Sequence, residues 1–260
     1  MTAERSSLPV ITIDGPDVDP RDCIEPGTSG NVTLGWMVVV LGCLIFAAST
    51  MGVGLLLLLI APVVDWFNQK RVRALIHGSG LKVSEKQFPE IHDCVEKFCE
   101  RLGLPDVPDV YIVEASILNA FAVKFGKRDV ILLTDDLVHA SIIQQDPSSL
   151  AFVLGHELGH IALGHTGRIR TWLRSSLKKL SRLDEYSVDR IGLKLVGRKQ
   201  IAVEGILLLT VGPHLLPYVN PVAVRDQVNE VAADKYSRKA EKQSTHPLLL
   251  HRIRSIMATQ

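Results

Sequence analysis

The sequence predicts an α+β fold that is mainly helical, and three observations carry that expectation. Residues 150–164 place Leu150, Val153, Leu154, Leu158 and Ile161 at helical spacing, which reads as a largely buried helix. Three short runs, 110–113, 118–123 and 130–133, have strand length and are rich in β-branched and aromatic residues. Finally, no side chain between Pro26 and Val64 is charged, and 36–64 is almost wholly apolar.

The elements follow in chain order. Residues 1–35 carry Pro9, Pro16, Pro20 and Pro26 with several aspartates and no hydrophobic periodicity, and are expected to form a disordered tail. Residues 36–64 exceed the length one bilayer crossing needs but fall short of two, so one transmembrane helix is expected, its excess taken up by tilt or by a break near Gly52 and Gly54. Trp36 and Trp66 bracket it as interfacial anchors would. Residues 65–86 are expected as a juxtamembrane linker helix and 87–260 as the folded domain. Within that domain 88–102 alternates apolar and charged residues at helical spacing, with Ile91, Cys94, Val95 and Phe98 inward. The three strand runs are expected as an antiparallel meander, the last two joined by a turn at 125–129. A second apolar stretch, 206–219, is interrupted by Pro213, His214 and Pro217, and is too short and broken to span a membrane.

The chemistry concentrates in His156-Glu157-Leu158-Gly159-His160. On a helix, residues four apart share a face, so His156 and His160 can bind one metal ion while Glu157 stands beside it. A zinc ion held this way acts as a Lewis acid and acidifies a bound water, and a neighbouring glutamate takes the water's proton. Peptide-bond hydrolysis is the reaction this arrangement suits. Two imidazoles and a carboxylate on a buried helix would be costly without a metal or partners. The third ligand is left open between Glu185 and Glu230, because both 185–189 and 230–234 place an aspartate one helical turn after the glutamate, at Asp189 and Asp234. The histidine that a metzincin would use is replaced by Thr166, with His165 one position off.

Further segments extend the pattern. Phe88-Pro-Glu-Ile-His, Arg101-Leu-Gly-Leu-Pro, Asn119-Ala-Phe-Ala, the 130–138 segment, Ser181-Arg-Leu-Asp-Glu-Tyr-Ser-Val-Asp-Arg-Ile-Gly and Ser244-Thr-His-Pro, with Arg252 six residues past His246, occur in that order. From about Gln87 to the C-terminus the chain resembles the membrane-associated gluzincin metallopeptidases, the family of the heat-shock protease HtpX and the CAAX prenyl endopeptidases. The resemblance implies a zincin-like domain with one Zn²⁺ per chain, and it favours Glu185 over Glu230 as third ligand, with Asp189 orienting a ligand histidine. It also implies that Asn119, Ala120 and Phe121 border the cleft and hold an extended substrate, and that His246 and Arg252 approach the zinc and donate to the oxyanion. Two departures stand out: Val188 replaces the family's alanine, and the segment between His160 and Glu185 is short.

With 29 basic and 28 acidic side chains there is no electrostatic case for nucleic-acid binding. Four scattered cysteines form no zinc-ribbon or disulfide pattern, and Cys94 and Cys99 read as small buried apolar residues. The interleaved basic residues of 168–182 read as a solvated face or a surface resting on anionic lipid, and His165, His139 and His251 as surface or structural. Lys70, Arg71 and Arg73 outweigh Arg21 across the apolar segment, which by the positive-inside rule puts the domain in the cytoplasm with the tail outside. The expected protein is therefore a single-pass, membrane-anchored zinc endopeptidase acting on cytoplasmic or membrane-proximal polypeptides in protein quality control, a prokaryotic plasma membrane suiting the resemblance. A CAAX-type processing enzyme and a catalytically silent scaffold are the alternatives. Substrate, regulation and oligomeric state are not legible.

Overall fold

The computed structural model describes residues 8–9, 11, 15–144 and 146–259. Eleven α-helices and two short 3-10 turns surround one small sheet among these residues. In chain order the elements are α1 (Thr28–Ser49), α2 (Val53–Ser79), β1 (Leu81–Lys82), α3 (Pro89–Arg101), β2 (Asp109–Val113), β3 (Ala120–Phe125), β4 (Arg128–Thr134), α4 (Asp135–Ile143), α5 (Ser148–Ala162), α6 (Arg168–Ser176), α7 (Lys178–Val196), α8 (Lys199–Val211), α9 (Pro221–Ala233), α10 (Lys235–Glu241) and α11 (Leu249–Ala258). The fold is α+β and mainly helical, as the sequence predicts.

The sheet differs from the expected meander. Its order is β1-β2-β4-β3, with β2 parallel to β4 and β3 antiparallel to β4 on the edge. Gly126, at φ +64°, occupies the first position of the two-residue turn that forces β3 and β4 to be neighbours. Burial then decides which of them lies inside. β4 carries Ile131 and Leu133 with no exposure, whereas β3 carries the exposed Phe121 and the charged Lys124, and takes the edge.

The apolar segment is two helices, not one. α1 and α2 are both long and apolar enough to cross a membrane, and both are largely exposed, unlike core helices. The chain reverses between them through Met51 at φ +49° and Gly52 at φ +90°. A side-chain carbon at Gly54 would meet the Phe46 ring, so the arms pack closely beside the turn. The supposed linker helix 65–86 is not separate either: α2 runs on to Ser79, and β1 follows.

The described part of 1–35 is ordered, against expectation; residues 1–7, 10 and 12–14 of that tail lie outside the described residues. The Val18 amide donates to the Arg101 carbonyl at 3.0 Å, and the Arg101 guanidinium donates to the carbonyls of Pro16, at 3.0 Å through Nε, and Leu195, at 2.8 Å. Ile11, Val18 and Cys23 are buried in the main core, and Glu25 pairs with Arg190 on α7. Composition suggested disorder because these partners are distant in sequence.

The core centres on α5, which is buried from Ser149 through His160. Glycines set how near its neighbour comes. A carbon at Gly155 would lie 3.2 Å from Gly192 of α7, and one at Gly159 would lie 3.1 Å from Cβ of Val188. Helix-interior glycines cost about 1 kcal/mol each against alanine. Here they let α7 lie almost backbone to backbone on α5.

Candidate metal centre

Because α5 presents residues four apart on one face and α7 is drawn against it, three side chains converge. His156 Nε2 lies 3.6 Å from Glu185 Oε2, and His160 Nε2 lies 3.5 Å from Glu185 Oε1. One nitrogen or oxygen from each of the three lies within 4.8 Å of the others, and all three residues are buried. Two neutral imidazoles and a carboxylate at this spacing fit a divalent cation that leaves a further position open.

Each histidine is held from behind. His156 Nδ1–H donates to Asp189 Oδ1 at 2.8 Å, and Asp189 accepts from Arg252 twice, from Nε at 2.8 Å and from Nη2 at 2.6 Å. His160 Nδ1 faces His165 Nδ1 at 3.0 Å, and His165 Nε2 lies 3.4 Å from Asp184 Oδ1. Burial opposes the charge of Asp189, but the Arg252 guanidinium and the His156 hydrogen bond outweigh it and hold the carboxyl below its ordinary value. Burial also opposes Glu185, yet the facing imidazoles of His156, His160 and His246 hold it well below the usual range. For His156 burial would depress the imidazole, but Asp189 and Glu185 prevail and raise it to about 9. The pocket is built to hold positive charge between these groups.

Glu157 points toward the sheet. Its Oε2 accepts the Ala122 amide at 2.7 Å, so the free edge of β3 faces the candidate base. In the β3–β4 register, residues 120, 122 and 124 turn their backbone groups away from β4 and into the cleft. The Ala120 amide is already taken by Asn119 Oδ1 at 2.9 Å. Phe121 is exposed at the cleft wall and Ala120 is buried.

A cleft of about 1190 Å³ joins these parts. It runs from His156, Glu157 and the 118–124 edge past α6 to Leu58, Pro62 and Asp65 of α2 and Cys43 of α1. The structure therefore brings together His156, Glu157, His160, Glu185, Asp189 and the 119–121 strand. His246 is at the rim, with Nδ1 3.3 Å from Glu185 Oε2. Arg252 also lines the cleft, and two of its donor groups are spent on Asp189, so it braces that residue. Glu230 is exposed on α9 and stands outside the site, and Asp234 caps α10 through the amides of Tyr236 and Ser237.

Sequence reasoning missed the group behind His160. His165, read as surface or structural, is only 3% exposed, and Asp184 is fully buried. The arginines read as a solvated or lipid face include Arg170 and Arg174, which turn inward onto Asp184. Arg182 is also buried and donates to the carbonyls of Lys242 and Ser244. A helical repeat of basic residues marks a face without saying what it meets; the adjacent Asp184 and Glu185 were the available signal.

Two histidines and a glutamate on two close-packed helices, with a second glutamate beside a free strand edge, define a metallopeptidase-type centre. Comparison with known proteins agrees. The profile of peptidase family M48 matches residues 85–174 and 167–260, more than half of the chain, and the chain belongs to that family. It is 26% identical over 193 residues, 66% of this chain and 52% of the relative, to plastoglobule-localized metallopeptidase 48, chloroplastic, of Arabidopsis thaliana. A protease HtpX homolog of Pyrococcus abyssi is 34% identical over 100 residues, 38% of this chain and 29% of the relative. A protease HtpX homolog of Nostoc sp. is 26% identical over 128 residues, 49% and 42% of the respective chains. The chain spans about half or less of the length of these relatives.

Proposed function

We propose that the protein is a membrane-anchored zinc endopeptidase of cytoplasmic and membrane-proximal polypeptides, serving protein quality control. The observation that carries this reading is the convergence of His156, His160 and Glu185 within 4.8 Å beside a glutamate that reaches the strand edge. His156 Nε2, His160 Nε2 and Glu185 would hold zinc, which when bound supplies a Lewis acid for the scissile carbonyl and a more acidic water.

The chain's own residues do the rest. Glu157 takes the proton of the attacking water and returns it to the leaving nitrogen, the part a carboxylate with one oxygen fixed by Ala122 N–H and the other free can play. The outward carbonyls of 120 and 122 and the backbone groups of 124, which are not spent on Asn119 or Glu157, hold an extended peptide as an added strand, with Asn119, Ala120 and Phe121 at the cleft wall. Backbone recognition suits unfolded segments of varied sequence. Asp189, backed by Arg252, fixes the His156 tautomer, and His246 at the rim donates to the developing oxyanion.

The apolar arms enter the bilayer as a hairpin. The start of α1 follows the segment packed on α7, and the far end of α2 reaches the sheet, where the Tyr111 hydroxyl meets His77 Nδ1 at 3.2 Å. Both flanks thus lie on the domain's side, where Arg21, Lys70, Arg71 and Arg73 also lie, while the turn at 50–52 is uncharged. The positive-inside rule assigns that side to the cytoplasm. Since Asp65 and Pro62 of α2 line the cleft, its mouth opens at the membrane surface.

Cleavage of an unstructured reporter by wild type and Glu157→Gln, with zinc content measured in both, tests the reading. The expected result is retained zinc and lost cleavage in the variant. Equal cleavage would remove Glu157 as the base, and a wild type without zinc would end the peptidase reading.

A further inference from the structure

Helix α6 meets the candidate centre on one side and the apolar hairpin on the other. Its inner face carries Arg170 and Arg174. Arg174 Nη2 donates to Glu185 Oε1 at 2.8 Å, and its Nε lies 3.4 Å from Asp184 Oδ2. Arg170 pairs with Asp184 Oδ1, the same oxygen that faces His165 Nε2. Asp184 has no exposure. Removing either arginine would leave a buried acid short of a partner.

The tautomers form one consistent chain. For His160 to offer Nε2 to a cation, its proton must sit on Nδ1, which then donates to His165 Nδ1. His165 must in turn carry its proton on Nε2, directed at Asp184. Arg174 Nη1 sits 3.5 Å from the same His160 nitrogen, beyond a good hydrogen bond.

The same helix is seated on both arms of the hairpin. Leu173 packs with Val39 of α1, and a carbon added at Gly35 would lie 3.2 Å from Leu173 Cδ2 and from Leu177 Cδ1. Arg168 Nη2 donates to Gln69 Oε1 of α2 at 2.7 Å. Leu173, on the hairpin, and Arg174, on Glu185, are consecutive residues.

We propose that α6 is the positioning element of the metal centre: Arg174 aims Glu185, Arg170 and Arg174 hold Asp184 behind the His165–His160 pair, and the seat of α6 on α1 and α2 makes the ligand set depend on the docked hairpin. The proposal rests on the zinc-peptidase reading. Arg174 and His165 act through the ligands and need not touch substrate.

The experiment uses the full chain in lipid nanodiscs. Zinc affinity is measured by chelator competition, the visible spectrum is recorded with Co²⁺ in place of zinc, and the metal-free melting temperature is taken for each variant. Arg174→Gln should weaken zinc about 10- to 100-fold, the usual range when a group supporting a metal ligand is lost, and should alter the Co²⁺ spectrum, beyond what any fall in the metal-free melting temperature accounts for. Arg174→Lys, which keeps the charge but not the forked donor, should recover part of the loss. His165→Phe, which keeps the ring but no hydrogen bond, should also shift the spectrum. Gly35→Val, on α1 and away from the ligands, should weaken zinc by wedging α6. Wild-type affinity and spectrum in Arg174→Gln would overturn the proposal, as would an affinity loss that only tracks a lower melting temperature with no recovery in Arg174→Lys. Unchanged affinity in Gly35→Val would overturn the dependence on the hairpin. A wild type that binds no zinc would instead defeat the peptidase reading itself.

Discussion

A side-chain carbon at Gly159 would stand 3.1 Å from Cβ of Val188, and this approach of α5 to α7 lets Glu185 face both His156 and His160. Val188 and Ile191 form the wall that the glycine touches, so added bulk cannot be absorbed by a flexible side-chain tip. Gly159→Val is expected to destabilise the protein by about 1–3 kcal/mol through overpacking, and to weaken metal binding because α7 carries Glu185 away. Thermal unfolding with and without zinc checks this. The zinc-dependent rise in melting temperature should shrink in the variant.

The paired charges give the centre a defined response to pH. His156 is raised from 6.5 to about 9, so in the metal-free protein its contribution to stability is fully present below about pH 6.5 and is lost as pH rises through about 9. Glu185 and Asp189 are lowered from 4.5 and 3.8, so theirs is present above those values and is lost as pH falls. Metal-free protein should therefore be most stable between these limits. Zinc must displace the His156 proton, so its affinity should rise with pH up to about 9 and then flatten. Chelator competition at several pH values reads this directly, and an affinity independent of pH between 6 and 9 would contradict it.

Asp189 connects His156 to Arg252, so its removal should be felt at both ends. Asp189→Asn keeps the shape but can offer a donor where His156 needs an acceptor, and it leaves Arg252 without its anion. Zinc affinity is expected to fall about 10- to 100-fold. Arg252→Ala should have a smaller effect on the metal, because the His156–Asp189 contact survives. Equal losses in the two variants would mean that Arg252 acts on the site by another route.

Glu185 and Glu230 can be separated by the same measurement. Glu185→Ala removes an oxygen from each histidine's neighbourhood and should abolish tight zinc binding, whereas Glu230→Ala changes an exposed side chain on α9 and should leave it intact. Loss of zinc from Glu230→Ala alone would reverse the ligand assignment.

What could be read from the sequence follows from the range of each signal. His156, Glu157 and His160 were legible because helical spacing is local and fixes a shared face. Spacing could not separate Glu185 from Glu230, since both precede an aspartate by one turn; only the ordered likeness to a family did, and the close packing of α5 on α7 supplies its physical basis. Strand existence was legible in β2, β3 and β4, but order was not, because alternation says which face is buried and nothing about which strand lies alongside. Residues 15–25 looked disordered because their partners, Arg101, Ser187 and Arg190, are far along the chain. Arg170 and Arg174 looked solvated because a helical repeat of basic residues marks a face without saying what it meets.

The ordered N-terminal segment also decides how the hairpin should cross the membrane. Glu25, three residues before the start of α1, gives its amide to Ser187 Oγ at 2.9 Å and its carboxylate to Arg190, so this end of α1 is fastened to the folded domain. The other end of the apolar segment leads through α2 into β1 of the same domain. A single crossing would need these ends on opposite faces and would break both contacts to Glu25. Two crossings keep them, with Met51, which is 96% exposed, at the far tip. Cysteines introduced one at a time at Asp22, Met51 and Lys239 in a Cys43→Ser background, where Cys23, Cys94 and Cys99 are buried, and treated with a membrane-impermeant maleimide, distinguish the cases. Positions 22 and 239 should react from the cytoplasmic face and position 51 only from the opposite face. Reaction of 22 and 239 from opposite faces would restore the single span and require the segment around Glu25 to leave α7. Reaction of position 51 from the cytoplasmic face would make the hairpin re-entrant.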